Sequence, residues 1–311
     1  MLRDINISLN QWAERFLSVN PYTNVIGVGR SLIAAGTLFT LLFNNWRLIF
    51  PYSQSVVFHP ITIFDRYNYF FLLSGQDIRI SVLMAIIILC VVIIGVVPPV
   101  TGLLHFWITY SFYKYCPIIE GGDQISSIIT LSLIPILLFD NRLTHWSKPK
   151  ADLRPYVNVF ANSVLLFIQI QVSIVYFHAF VGKLAVSEWV NGTDTYYWFT
   201  HNVFGFPSWL RRTGEILVKK KYIITSITWG TILLEIFLFA AIFMSYKRRL
   251  FIFKLAIIFH LGILIIHGLV SFFFAMAGAL VIYLIPQKQI NFDPKSKKNR
   301  YAFSRKSIFA K

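Results

Sequence analysis

Apolar residues in this chain come in runs of bilayer-spanning length, about 17–25 residues each. They lie at 25–43, 79–98, 100–115, 124–139, 157–182 and 222–245. A last apolar stretch runs from Leu255 to Ile285, interrupted by "HG" at 267–268. As one helix it would extend about 46 Å, more than a hydrocarbon core of about 30 Å. It is therefore either one steeply tilted helix or two short segments. The pattern predicts an all-α fold, a polytopic membrane helical bundle with about seven or eight transmembrane segments.

Positive charge decides the orientation. Lysine and arginine gather at 142–154, 211–221, 247–254 and 288–311. With a cytoplasmic N-terminus, the positive-inside rule puts the 141–156 segment, "YKRR" (246–249) and the basic tail inside. The acidic "PIIEGGD" and the 183–221 loop then fall outside. A cytoplasmic tail requires an even number of crossings, hence two segments within 255–285. "VKKKY" (218–222) is the one basic cluster on the wrong side of this scheme. The expected organisation is a cytoplasmic N-terminal segment (1–24), a transmembrane domain (25–286) and a basic cytoplasmic tail (287–311). No cleavable signal peptide is expected, because the first apolar run leads into "NNWRLIFPYS" without a small-residue cleavage site.

Composition supports the membrane reading. The chain is 56% hydrophobic and 14% charged, with thirty Phe, fifteen Tyr and eight Trp. A soluble domain averages about 25% charged residues. The net charge of +16 does not indicate a nucleic-acid partner, since the clusters flank apolar runs instead of forming one basic domain; the bilayer is the expected partner. Cys90 lies mid-run and Cys116 just beyond the next run, with no CxxC pair, which disfavours thiol exchange.

Polar residues inside apolar runs need an explanation. Arg30, in "GVGRSLIAAG", either snorkels to the interface or serves the interior. Gln169 and Gln171 read as interhelical hydrogen-bonding groups. Glu235, in "TILLEIFLF", is expected to be protonated or paired with a base such as Arg30. His260 and His267 are seven apart on one helix, about 10.5 Å along the axis, too far for one metal; no metal site is expected. Lys183 closes the run "IVYFHAFVGKLAVSEWVNG" (174–192). It either reaches the headgroups or, desolvated, serves as a base. His178, about 140° away around the helix, does not share its face.

At this segment the sequence resembles a known family. "VYFHAFVGKLAVSEWVNG" is similar, without gaps, to a segment of vitamin K-dependent gamma-carboxylase and of the wider HTTM membrane domain. "LLFDNRLTHWS" (137–147) resembles that family's D-x-N-R signature, carried here by Asp140, Asn141 and Arg142 with altered spacing. "IIFHLGILIIHGLVSFFFAMAG" resembles its later histidine-containing helix. Within that superfamily, the opening "NPYTNVIGVGRSLIAAGTLFTLLFN" looks most like the SdpB family.

The resemblance implies an HTTM-like, gamma-carboxylase-like bundle in the bacterial cell membrane. It also implies a role, with an SdpA-like partner, in producing a secreted peptide toxin from its precursor. By the carboxylase parallel, Lys183 is the base, with His178 and His260 as further catalytic candidates. Arg30, Asp140, Asn141, Arg142, Trp189, Glu235 and His267 are substrate-binding or structural candidates. The cofactor is unknown, a quinone-like ligand being implied by resemblance only. The carboxylase uses a histidine between its D-x-N-R signature and VYF, whereas none occurs from 146 to 177 here. Its large luminal domain is also expected to be absent, and together these argue against glutamate carboxylation. Two readings stay open: a membrane enzyme of toxin maturation, and a non-catalytic export or immunity component that binds the toxin. A transporter, the third class, lacks the internal repeats expected of it.

Overall fold

Backbone stops divide the apolar runs into helices. In this computed structural model, residues 20–50, 66–74, 77–117, 120–148, 155–288 and 290 are described. The helices are α1 (Asn24–Phe43), α2 (Trp46–Ile49), α3 (Tyr69–Ser74), α4 (Ile78–Ile94), α5 (Pro98–Tyr115), α6 (Gly121–Leu138) and α7 (Pro155–Leu184). They continue as α8 (Ser187–Val190), α9 (Asp194–Thr200), α10 (Arg211–Val218), α11 (Lys221–Ala240), α12 (Tyr246–His267) and α13 (Val270–Leu284). Gly268, in the left-handed region at φ 71°, ends α12. The 255–285 stretch is therefore two helices rather than one, since a left-handed residue cannot continue the right-handed coil. Gly95 does the same after α4 at φ 85°, and Pro98 opens α5.

Among the described residues five helices are long and apolar enough to cross a membrane: α1, α6, α7, α11 and α12. The apolar α4 and α13 are shorter. The expected span at 100–115 forms α5, whose Thr101, His105 and Thr109 make a buried polar stripe instead of a uniformly apolar surface. The chain is a membrane protein, all-helical among its described residues. Large apolar side chains such as Leu83, Ile87, Phe167, Ile174 and Ile258 stay exposed, which suits a surface solvated by lipid. The expected cytoplasmic segment 1–24 and tail 287–311 lie almost wholly outside the described residues.

Cross-contacts show alternating direction: α5 runs antiparallel to α6 (Gly102 against Leu137, Thr109 against Thr130), α7 to α11 (Ser173 against Phe239, Lys183 against Glu235) and α1 to α13. Gly29 of α1 lies against Gly278 and Ile282 of α13, while Gly36 lies against Ser271 and Phe274. A Cβ on Gly29 would stand 3.0 Å from the Gly278 carbonyl oxygen, so these glycines let the two backbones approach as closely as small residues do in membrane bundles. At the other end of the chain, Asn24 Nδ2 donates to the Ile290 carbonyl at 2.8 Å and Ile290 N donates back to Asn24 Oδ1 at 2.7 Å. Both ends of the described chain therefore meet at one end of the bundle.

Candidate functional site

Two buried polar clusters stand out. The first lies between α7 and α11. Lys183, in the last turn of α7, folds back along its helix. Its Nζ donates to Glu235 Oε1 at 2.7 Å and lies 3.5 Å from the Ala179 carbonyl oxygen. The side chains are 21% and 7% exposed, so the ammonium is held against α11 rather than extended into the surroundings. The indole of Trp189, on α8, lies 5.0 Å from Nζ and stabilises the cation through its π face. A cation in the last turn of α7 also suits the negative end of the helix dipole.

The pair leaves capacity unused. Glu235 Oε2 and the Tyr176 hydroxyl are buried without hydrogen-bond partners, and Tyr176 lies within electrostatic range of Glu235. Tyr283 ties α13 to α11 through its hydroxyl, which donates to the Leu238 carbonyl at 2.7 Å. The His260 ring packs 6.4 Å from that of Tyr176. Its Nδ1 sits 2.7 Å from the Ala256 carbonyl oxygen; a carbonyl only accepts, so Nδ1 carries the proton and Nε2 is the acceptor nitrogen. Lysine, carboxylate, phenol and imidazole thus follow one another into the bundle. Only Lys183 and Glu235 are in direct hydrogen-bond contact; the unpartnered Glu235 Oε2 and Tyr176 hydroxyl are free to take up a further polar group.

The second cluster surrounds Arg30, two turns into α1. Arg30 is 0% exposed. Its Nη2 donates to Thr101 Oγ1 at 2.7 Å, while Nε and Nη1 have no partner. His105 Nε2 and His145 Nδ1 are buried and unpartnered nearby. His145 comes from the loop after α6, which is stitched to the α4–α5 turn by Val97 N to Leu143 O (2.9 Å) and His145 N to Gly95 O (3.0 Å). Burial, then Arg30 and Arg142, push its imidazole down to about 3. Asp140 and Arg142 form a bidentate pair, 2.8 and 2.7 Å, in the same loop. Arg142 Nη1 also donates to the carbonyls of His145 and Ser147 at 3.1 and 3.0 Å. The loop from Asp140 to Ser147 is thereby a folded buttress.

Comparison with known proteins adds the family. The chain is 35% identical to the uncharacterized protein YitO of Bacillus subtilis over 291 residues, 92% of each chain. It is 34% identical to the sporulation-delaying protein SdpB of the same organism over 271 residues, 87% of this chain and 84% of that one. The chain belongs to the SdpB family. No protein-family profile matches it, and no solved structure matches either.

In this SdpB family member several expected residues find different partners. Glu235 pairs with Lys183, not Arg30, because Arg30 is on the other side of the core beside Thr101. Arg30 does not snorkel; it is enclosed. Gln169 reaches across to the Ile282 carbonyl at 3.5 Å, an interhelical contact as expected. His178 is exposed and packs on Phe177, away from Lys183. His267 lies at the end of α12 with Nδ1 2.5 Å from the Phe204 carbonyl oxygen, remote from His260. Asn141 is exposed. Cys90 is exposed and Cys116 is buried. Among the described residues no three His, Cys, Asp or Glu side chains could hold a metal ion. Tyr176, His105 and His145 were not singled out in the sequence. His145 stood in the quoted "DNRLTHWS", and only its burial marks it.

Proposed function

We propose that this protein serves in the production of a secreted sporulation-delaying peptide, acting in the bacterial plasma membrane as a multi-pass protein. The observation that carries the reading is the similarity to SdpB along most of both chains. The alternating helices support both chain ends lying in the cytoplasm. That arrangement turns the C-terminal end of α7, with Lys183, toward the outside, where a secreted precursor arrives. The Lys183–Glu235 pair is the working group on this reading, with Tyr176 and His260 behind it and Trp189 over it.

An SdpA-like protein is the proposed partner and the peptide precursor the substrate. The HTTM-like and gamma-carboxylase-like segment around Lys183 supports proton chemistry on a bound peptide or small ligand; a quinone-like ligand belongs to the same proposal. A non-catalytic component that binds the peptide is the second reading. It is favoured by the closed geometry of the ion pair, which a pure anchoring site also needs.

Removing the protein from its producing cell tests the first step. Mature peptide should vanish from the medium while the precursor persists in the cell. Unchanged mature peptide would reject the role in production, and unchanged peptide with a self-poisoned cell would support immunity instead.

A further inference from the structure

Beside the Lys183 site is a recess that the reading above does not use. Glu188, Asp194, Tyr197, Trp198 and His201 wall a cavity of about 380 Å³. It lies in the 187–201 segment between α7 and α11, at the end of the bundle opposite the two chain ends. In a chain of net charge +16 with only thirteen acidic residues, two of its carboxylates converge here with three aromatic rings.

Asp194 is the decisive residue. It is 8% exposed, it lines the cavity, and its Oδ2 has no hydrogen-bond partner. A buried carboxylate oxygen left unmatched is costly. The nearest cation, Lys183, is already bonded to Glu235 at 2.7 Å. Asp194 is also held firmly. The adjacent Thr195 is bonded to Thr228 of α11 through its N–H at 3.3 Å and its hydroxyl at 2.7 Å. The carboxylate is therefore a built wall of the recess. Burial raises the Asp194 carboxyl above its ordinary value and Glu188 adds to this, while Lys183 and a side-chain hydrogen bond from Trp198 oppose it; Oδ2 is the oxygen left without a partner.

The remaining walls suit a cation. Tyr197 and Trp198 are exposed enough to present their rings, and a cation over an aromatic face is attracted by its quadrupole. His201 Nδ1 accepts from the N–H groups of Val203 and Phe204, both at 3.1 Å. These two bonds fix the imidazole ring at the edge of the recess.

We propose that this recess receives a lysine or arginine side chain of the peptide that the protein handles, its charge placed between Asp194 and Glu188 and its stem against Tyr197 and Trp198. The proposal rests on the peptide-production reading and deepens it. It makes the recess the docking point that holds the precursor beside Lys183.

The test uses the full chain in phosphatidylcholine nanodiscs, labelled with 5-fluorotryptophan; the ¹⁹F signal of Trp198 is assigned with Trp198→Phe. The probes are two glycine-rich pentapeptides that differ only in a central lysine or its neutral counterpart norleucine. The lysine peptide should move the Trp198 signal with a midpoint about tenfold lower than the norleucine peptide. Asp194→Asn and Glu188→Gln should each remove most of that preference. Glu188→Gln, on the open side of the recess, keeps the test valid should Asp194→Asn misfold. Equal midpoints for the two peptides, no movement of the signal, or an undiminished preference in Glu188→Gln would overturn the proposal. So would loss of the preference on adding phosphatidylethanolamine, which would make the guest a lipid ammonium. Equal midpoints with normal peptide secretion by Asp194→Asn cells would sink the recess alone and leave the production reading standing.

Discussion

The two buried clusters of this molecule solve the same problem differently. Lys183 has a carboxylate at 2.7 Å, an indole at 5.0 Å and a helix C-terminus around it. Arg30 is more deeply buried and has one hydroxyl. The nearest carboxylate to Arg30, Asp140, is already committed to Arg142. A matched buried pair is costly to break from one side, while an unmatched buried cation is costly to keep. Stability and function therefore load the two ends differently. At the Lys183 end the pair must stay whole; at the Arg30 end the guanidinium is the expensive member.

The largest expected effect follows from breaking the pair. Glu235→Ala leaves Lys183 without its counter-charge and should cost about 2–3 kcal/mol, the lower side of the usual range because the lysine is partly exposed. It should show as a lowered thermal midpoint in detergent. The double variant Lys183→Met with Glu235→Leu should recover most of that stability, yet secrete no mature peptide. Recovery of secretion by the double variant would make the pair a structural strut only.

A smaller effect comes with pH at the Arg30 end. The His145 imidazole lies at about 3 in the folded protein against an ordinary 6.5. Below pH 6.5 the unfolded chain takes up a proton that the folded one refuses. His145 therefore contributes stability in full above pH 6.5, and that contribution is lost as pH falls toward 3. Between pH 7 and pH 5 the loss should be about 1–2 kcal/mol. His145→Asn should flatten this dependence. Glu120, raised to about 7 chiefly by burial, works in the opposite sense over pH 4.5 to 7 and is present in both proteins, so the difference between them isolates His145. Parallel melting profiles would show that His145 is solvated.

The smallest effect is expected at Arg30 itself. Arg30→Met removes two unsatisfied donors and a buried charge while keeping an unbranched stem. Stability should stay within about 1 kcal/mol of the parent, or rise. A loss as large as that of Glu235→Ala would mean that Arg30 has a partner matching the strength of the Lys183 pair, and the contrast between the two ends would collapse.

Much of the fold was legible because helix-length apolar runs and glycine stops are local signals. For 255–285, length against bilayer thickness left one tilted helix or two short ones, and the even crossing count chose two; Gly268 is where they part. The close α1–α13 contact uses glycines already visible in "GVGRSLIAAG". Pairings across the core were not legible. Lys183 and Glu235 are 52 positions apart, and a lysine stem can point either up to headgroups or back down its helix. Periodicity does not say which. Arg30 looked free to snorkel because it is near a helix end; the loop carrying His145 folds over it and seals it in. Asp194 sits in "NGTDTYYWF", a stretch without a run or a motif, and only its unmatched oxygen reveals it.

The central claim is that the Lys183–Glu235 pair exchanges a proton in peptide production instead of merely holding α7 to α11. Lys183→Arg tests it most directly, because arginine keeps the cation and can still pair with Glu235 but does not give up its proton. The measurement is mature peptide in the medium, normalised to the amount of variant in the membrane. The account predicts normal accumulation and thermal midpoint with secretion abolished. Full secretion from Lys183→Arg would contradict it and leave the pair an anchor.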